Sequence, residues 1–196
     1  MLKNIDIKSK LSYFTYCTVF RGRMLRVLRE KLGVKKYILM FFVIFLIIEF
    51  IMIFIMKDLS IKEFLELQVT TDKGKFLEIL SSWSELELSA YRNHFYLDFL
   101  YLISYSLLLF SLISYYFNKA HVENRGTIFL LLPFVIAILD IIENTFHIFF
   151  IVVNNEMPKI FVMLSGVFSI QKWVLVAVVL YIIIVSFFKL TIVHQK

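Results

Sequence analysis

A chain of 196 residues carries 60% hydrophobic and only 18% charged side chains, with a formal net charge of +6. That is more apolar surface than the core of one soluble domain of this size can hold, so the surplus must face something other than water, and lipid is the obvious solvent. Two prolines and five glycines exclude a loop-rich or collagen-like chain, and the single cysteine, Cys17, excludes an intrachain disulfide and a cysteine-only metal knuckle.

The first 36 residues hold ten of the 21 Lys and Arg residues, among them Lys3, Lys8, Lys10, Arg21 and Arg23. From Phe20 to Lys36 the basic residues interleave with Met24, Leu25, Leu28 and Leu32 at helical spacing, which predicts an amphipathic helix on the inner membrane surface. Anionic headgroups are its expected partner, and no nucleic acid is needed to explain it. No secretory signal peptide is visible, so the first span is read as its own signal anchor.

Residues 37–190 read as an all-α transmembrane domain, a four-helix bundle with spans at about 37–56, 95–117, 127–153 and 158–188. Each is long enough for the roughly 30 Å hydrocarbon core, and the alternating pattern of a spanning strand is absent. Positive charge is retained on the cytoplasmic side, so both termini are expected inside, together with Lys119, Arg125, Lys189 and Lys196. The expected location is the cell membrane, crossed several times. Gln171 and Lys172 interrupt the last apolar run without a turn signal, so one long final helix beginning at Pro158 is predicted. Pro133 is expected to kink the third helix.

The outer loop, 57–91, is too apolar for a solvated connector. Phe64, Leu65, Phe76, Leu77, Ile79, Leu80 and Trp83 predict one or two amphipathic helices, broken at Thr70-Thr71-Asp72-Lys73-Gly74. With the second helix starting near Arg92, a short turn brings Trp83 back to headgroup level, and the loop is expected to form a lid over the polar residues below.

Ionisable groups inside a span are costly and face the bundle interior, which makes their depth informative. At about 1.5 Å per residue, Asp98, Asp140, Glu143, His147 and Lys172 all lie roughly 20–30 Å from the inner end of their helices, in the outer half of the bilayer. Their faces agree. Asp140, Glu143, Asn144 and His147 share one stripe of the third helix; His94, Asp98, Tyr101 and Tyr105 share a face of the second, and Ser165, Ser169 and Lys172 a face of the fourth. Glu49 joins them if its face allows. The expected arrangement is an outward-facing polar pocket with ligand-binding candidates His94, Asp98, Tyr101, Asp140, Glu143, Asn144, His147 and Lys172, in which Lys172 pairs with Asp98 or Glu143.

Four functions fit such a cluster. It is a structural network fixing helix register, a site for a lipid-like amphipathic small molecule, a membrane enzyme acting on a lipid-like substrate, or a path for protons or ions. His94/Asp98 and Glu143/His147 have ligand spacing for a divalent metal, but Lys172 at the same level repels a cation, so no metal is assigned. Ser169 and Lys172 have the spacing of a nucleophile and base, yet small hydroxyl residues more commonly pack helices. No Gly-rich phosphate loop, H-E-x-x-H or G-x-S-x-G motif is present, and no cofactor is named. A protein partner or a second copy of the chain stays open.

Four short motifs recur in one combination: Ile79-Leu80-Ser81-Ser82-Trp83, Tyr96-Leu97-Asp98-Phe99-Leu100-Tyr101, Leu139-Asp140-Ile141-Ile142-Glu143-Asn144, and Lys172-Trp173. In these the chain resembles a group of uncharacterised bacterial four-span integral membrane proteins. The resemblance covers about residues 37–188, implies a four-helix membrane fold, and singles out the residues that depth groups together. It implies no reaction.

Overall fold

All regular structure described in the computed structural model, which covers residues 24–120, 124–153 and 158–193, is helical. Most of the basic tail, with Cys17, lies outside the described residues. A short helix, α1, spans 24–32 and ends at Gly33 rather than running on to Lys36. A Cβ on Gly33 would lie 2.8 Å from the Ser114 backbone carbon and 2.7 Å from Asn118 Nδ2, so glycine lets this corner sit close against the second long helix. Asn118 Nδ2 also donates to the Arg29 carbonyl at 3.1 Å, fastening this corner to the C-terminal end of the second long helix.

The first apolar run forms α2 (Lys35–Ile55), 21 residues and thus about 31 Å, the thickness of the hydrocarbon core. After it come α3 (Ile61–Val69) and α4 (Lys73–Ser82), separated at Thr70-Thr71-Asp72 as the composition predicts. Ser60 caps α3, its Oγ accepting from Glu63 N–H, and Asp72 caps α4, accepting from Lys75 N–H at 2.9 Å. Lys75 also pairs with Glu66 across the break and holds that carboxyl below its usual range. Because the value is lowered on pairing, this tie is present at neutral pH and is lost as pH falls through it.

The second span begins earlier than expected. Helix α5 (Glu85–Lys119) starts directly after Trp83 and Ser84, and Ser84 forms a capping box with Glu87. At 35 residues it is about 52 Å long, well over the roughly 30 Å of a hydrocarbon layer. The third run opens as a 3-10 helix, Asn124–Leu131, and becomes α6 (Leu132–Val153). Pro133 stands in the first turn of α6, directly after the 3-10 stretch, so the helical geometry changes next to the proline. Its carbonyl accepts from Ser106 Oγ at 3.2 Å, tying that turn to α5. The last run is one helix, α7 (Lys159–Val193), starting immediately after Pro158.

Helix α2 packs along α5, α5 against α6 and α7, and α6 against α7, while α3 and α4 rest on α7. Two apolar cores result. One, near the α3–α4 hairpin, contains Leu67, Phe76, Trp83, Tyr91 and Phe150; the other contains Leu102, Phe110, Ile113, Leu130 and Val179. Outward, the four long helices show Leu39, Phe50, Ile103, Ile138, Val174 and Tyr181, all more than half exposed. All four are long and apolar enough to cross a membrane. A continuous apolar girdle of this kind is stable in lipid and not in water.

The hairpin sits on α7 at Gly166. A Cβ there would lie 2.9 Å from the Thr70 carbonyl carbon, so only glycine lets the link between α3 and α4 touch the helix backbone.

Candidate functional site

Between the two apolar cores lies a belt of charge. Lys172 on α7 donates to Asp140 Oδ1 at 2.9 Å and stands 2.6 Å from Glu143 Oε2. All three side chains are buried, Glu143 completely. The expected pairing of Lys172 with Asp98 or Glu143 is made with Glu143, and Asp140 joins it. Asp98 takes another partner, the side-chain amide of Asn144. Tyr105 Oη donates to Asp140 Oδ2 at 3.2 Å, so both oxygens of Asp140 are occupied.

One turn along from the Asp140/Lys172 rung, Glu143 faces Ser169 of α7. His147 Nδ1 is hydrogen-bonded to the Tyr91 hydroxyl, and its ring lies against Phe76 and Phe150. His94 Nδ1 is satisfied by the Tyr91 backbone carbonyl, and Phe64 from α3 meets the His94 ring edge-on at 5.3 Å.

Next to the belt a half-open cavity of about 740 Å³ runs between α2 and α7, which do not pack along one another. Its volume is that of a small-molecule site. Of the eight ligand-binding candidates, His94, Asp98, Tyr101, Asp140, Asn144 and Lys172 line it; Glu143 and His147 do not. The stripe on α6 explains the division. Asp140 and Asn144 form one i, i+4 row turned to the cavity, and Glu143 and His147 form the neighbouring row, Glu143 against Lys172 and His147 against Tyr91 and Phe76. Helix α2 brings Glu49 to the opposite wall, beside Tyr101. Below the charged level the walls are apolar, with Phe45, Leu108, Leu109, Val176 and Leu180.

Trp83 lies in the apolar core rather than at a wet interface, 5% exposed. Its Nε1 donates to Glu63 Oε2 at 2.9 Å and its ring meets Tyr91 edge-on at 5.2 Å. With α5 beginning at Glu85 there is no nine-residue turn to carry it outward; Trp83 is the joint at which α4 passes into α5. The hairpin covers the histidine end of the belt through Phe64 and Phe76.

Tyr91, Glu63 and Phe64 are site residues that the sequence reading passes over. Their signals are local. Ser84-Glu85-Leu86-Glu87 and Ser60-Ile61-Lys62-Glu63 both have the Ser-x-x-Glu form of a helix start. Starting α5 at Glu85 puts Tyr91 on the face that carries His94 and Asp98.

One ammonium thus serves two carboxylates directly, and Asp98 and Glu49 add two more at the cavity wall. Excess buried negative charge is costly unless protons or a cation offset it. Among the described residues no three His, Cys, Asp or Glu side chains are grouped to hold a metal ion. No protein-family model, curated protein or solved structure matches this chain.

Proposed function

We propose that the protein is a multi-pass cell-membrane protein that binds a lipid-like amphipathic molecule in the groove between α2 and α7. The observation that carries this is the groove itself: about 740 Å³, open along one side, with charged side chains gathered at one level and a mostly apolar wall on either side of it. From Lys172 to Leu180 the apolar wall of α7 runs about 12 Å, enough for an alkyl chain to lie with its polar end at Asp98 and Asp140. With both termini cytoplasmic, as the basic residues favour, this polar end falls in the outer half of the bilayer and the tail points to its midplane. The membrane-protein resemblance in the sequence agrees with this reading.

A purely structural role accounts for the seam between α6 and α7, where Lys172, Asp140 and Glu143 fix the register. It does not account for Glu49 and Asp98, two carboxylates placed on the walls of an open groove. Nor does it require α2 to stand apart from α7.

Purified protein is expected to retain a lipid-like molecule at about one copy per chain by native mass spectrometry. Val176→Trp, which fills the apolar part of the groove without touching a charge, is expected to abolish that retention while the chain stays folded. Equal retention by Val176→Trp and the wild type would contradict the assignment.

A further inference from the structure

The charged end of the groove has a definite polarity. Glu49, Asp98 and Asp140 line it, with Glu143 directly behind. Lys172 stands among them, but its charge is already shared by Asp140 at 2.9 Å and Glu143 at 2.6 Å. Lys57, at the outer rim, lies over the Phe54 ring at 5.2 Å. Among the described residues neither Glu49 nor Asp98 forms a salt bridge: Asp98 is bonded to the Asn144 amide and Glu49 stands beside Tyr101. A phosphate or sulfate at this level would meet three carboxylates and a lysine already shared by two of them; Lys57, the other cation lining the groove among the described residues, follows Glu49 by eight residues, about 12 Å along the chain's helical rise.

The same stretch of wall is aromatic. The Tyr101 ring packs against Phe45 at 5.4 Å and Tyr105 at 5.5 Å, all three at the groove, and Phe64 closes the outer side. Ring faces attract cations, most of all ammonium groups that shed water poorly into an apolar wall alone. Carboxylates flanked by aromatic rings, above an apolar channel, are complementary to one chemical class.

Resting on the reading of the groove as an amphipath site, we propose that its ligand carries an ammonium group, protonated or quaternary, on an apolar tail. The ammonium lies between Glu49 and Asp98 against Tyr101, and offsets charge that Lys172 leaves uncompensated. The tail follows Leu108, Val176 and Leu180.

The test uses the full chain in an uncharged maltoside detergent, titrated by native mass spectrometry with four probes: octyltrimethylammonium, octyl sulfate, octyl glucoside and tetramethylammonium. Octyltrimethylammonium is expected to bind at least about tenfold more tightly than the sulfate or the glucoside of equal tail. Asp98→Asn, which keeps a partner for Asn144, is expected to weaken ammonium binding by about tenfold and leave octyl glucoside unchanged, the effect of losing one charged contact. Glu49→Gln, on a half-buried position of α2, gives the same reading should Asp98→Asn fail to fold. Equal binding of the sulfate, or ammonium binding indifferent to both substitutions, would overturn the ammonium assignment and leave the amphipath site standing. Binding of tetramethylammonium as tight as that of its octyl analogue would keep the ammonium and overturn the tail. No binding of any tailed probe would overturn both.

Discussion

Replacing Lys172 by methionine is expected to destabilise the bundle by about 3–5 kcal/mol, the cost of leaving buried carboxylates without their cation. Methionine matches the length of the lysine stem, so packing changes little and the loss is electrostatic. Asp140 and Glu143 are the groups stranded, at 2.9 and 2.6 Å from the missing amine. Two partners rather than one make the substitution more damaging than breaking a simple pair. Adding Asp140→Asn and Glu143→Gln to Lys172→Met removes the stranded charges and is expected to restore most of the loss. Unfolding in detergent, followed by circular dichroism, measures both chains. A Lys172→Met protein within about 0.5 kcal/mol of wild type, the range of surface substitutions, would refute the account of the belt.

Trp83→Ala is expected to cost about 3–5 kcal/mol and to release the α3–α4 hairpin, since a buried indole is replaced by a cavity. The ring joins three elements at once. Its N–H reaches Glu63 on α3, its face meets Tyr91 on α5, and its backbone ends α4. Trp83→Phe keeps most of the apolar contact and loses the bond to Glu63, a half-buried carboxylate that water can solvate, so its expected cost is about 1 kcal/mol. The readout that separates undocking from general unfolding is hydrogen exchange. In Trp83→Ala, residues 61–82 should exchange faster while the long helices stay protected. Emission from Trp83 in a Trp173→Phe background should be blue-shifted; a water-like maximum would contradict the burial.

What the sequence made legible was set by periodicity. Helices α2 and α7 begin within two residues of their expected positions, where the apolar run follows Lys35 and Pro158, whereas α5 begins ten residues early. The convergence of Asp98, Asp140 and Lys172 was also readable, because charges at one depth on interior faces have nowhere else to go. Pairing was not. Lys172 takes one carboxylate from each row of the α6 stripe, Asp140 and Glu143, and leaves Asp98 on α5 to Asn144, a choice that depth and face alone do not make. The groove was hidden for another reason. It exists because α2 packs along α5 and not along α7, an arrangement that no single helix encodes. The start of α5 was placed too late because the capping box at Ser84 was overlooked, and the 3-10 opening of the third run has no signal in its apolar pattern.

The most direct test of the central claim is an experimental structure of the protein in lipid nanodiscs. The account predicts elongated density between α2 and α7, with its polar end at hydrogen-bond distance from Asp98 or Glu49 and its tail along Val176 and Leu180. A structure in which α2 closes onto α7 and Glu49 points away into lipid, leaving no groove, would contradict it.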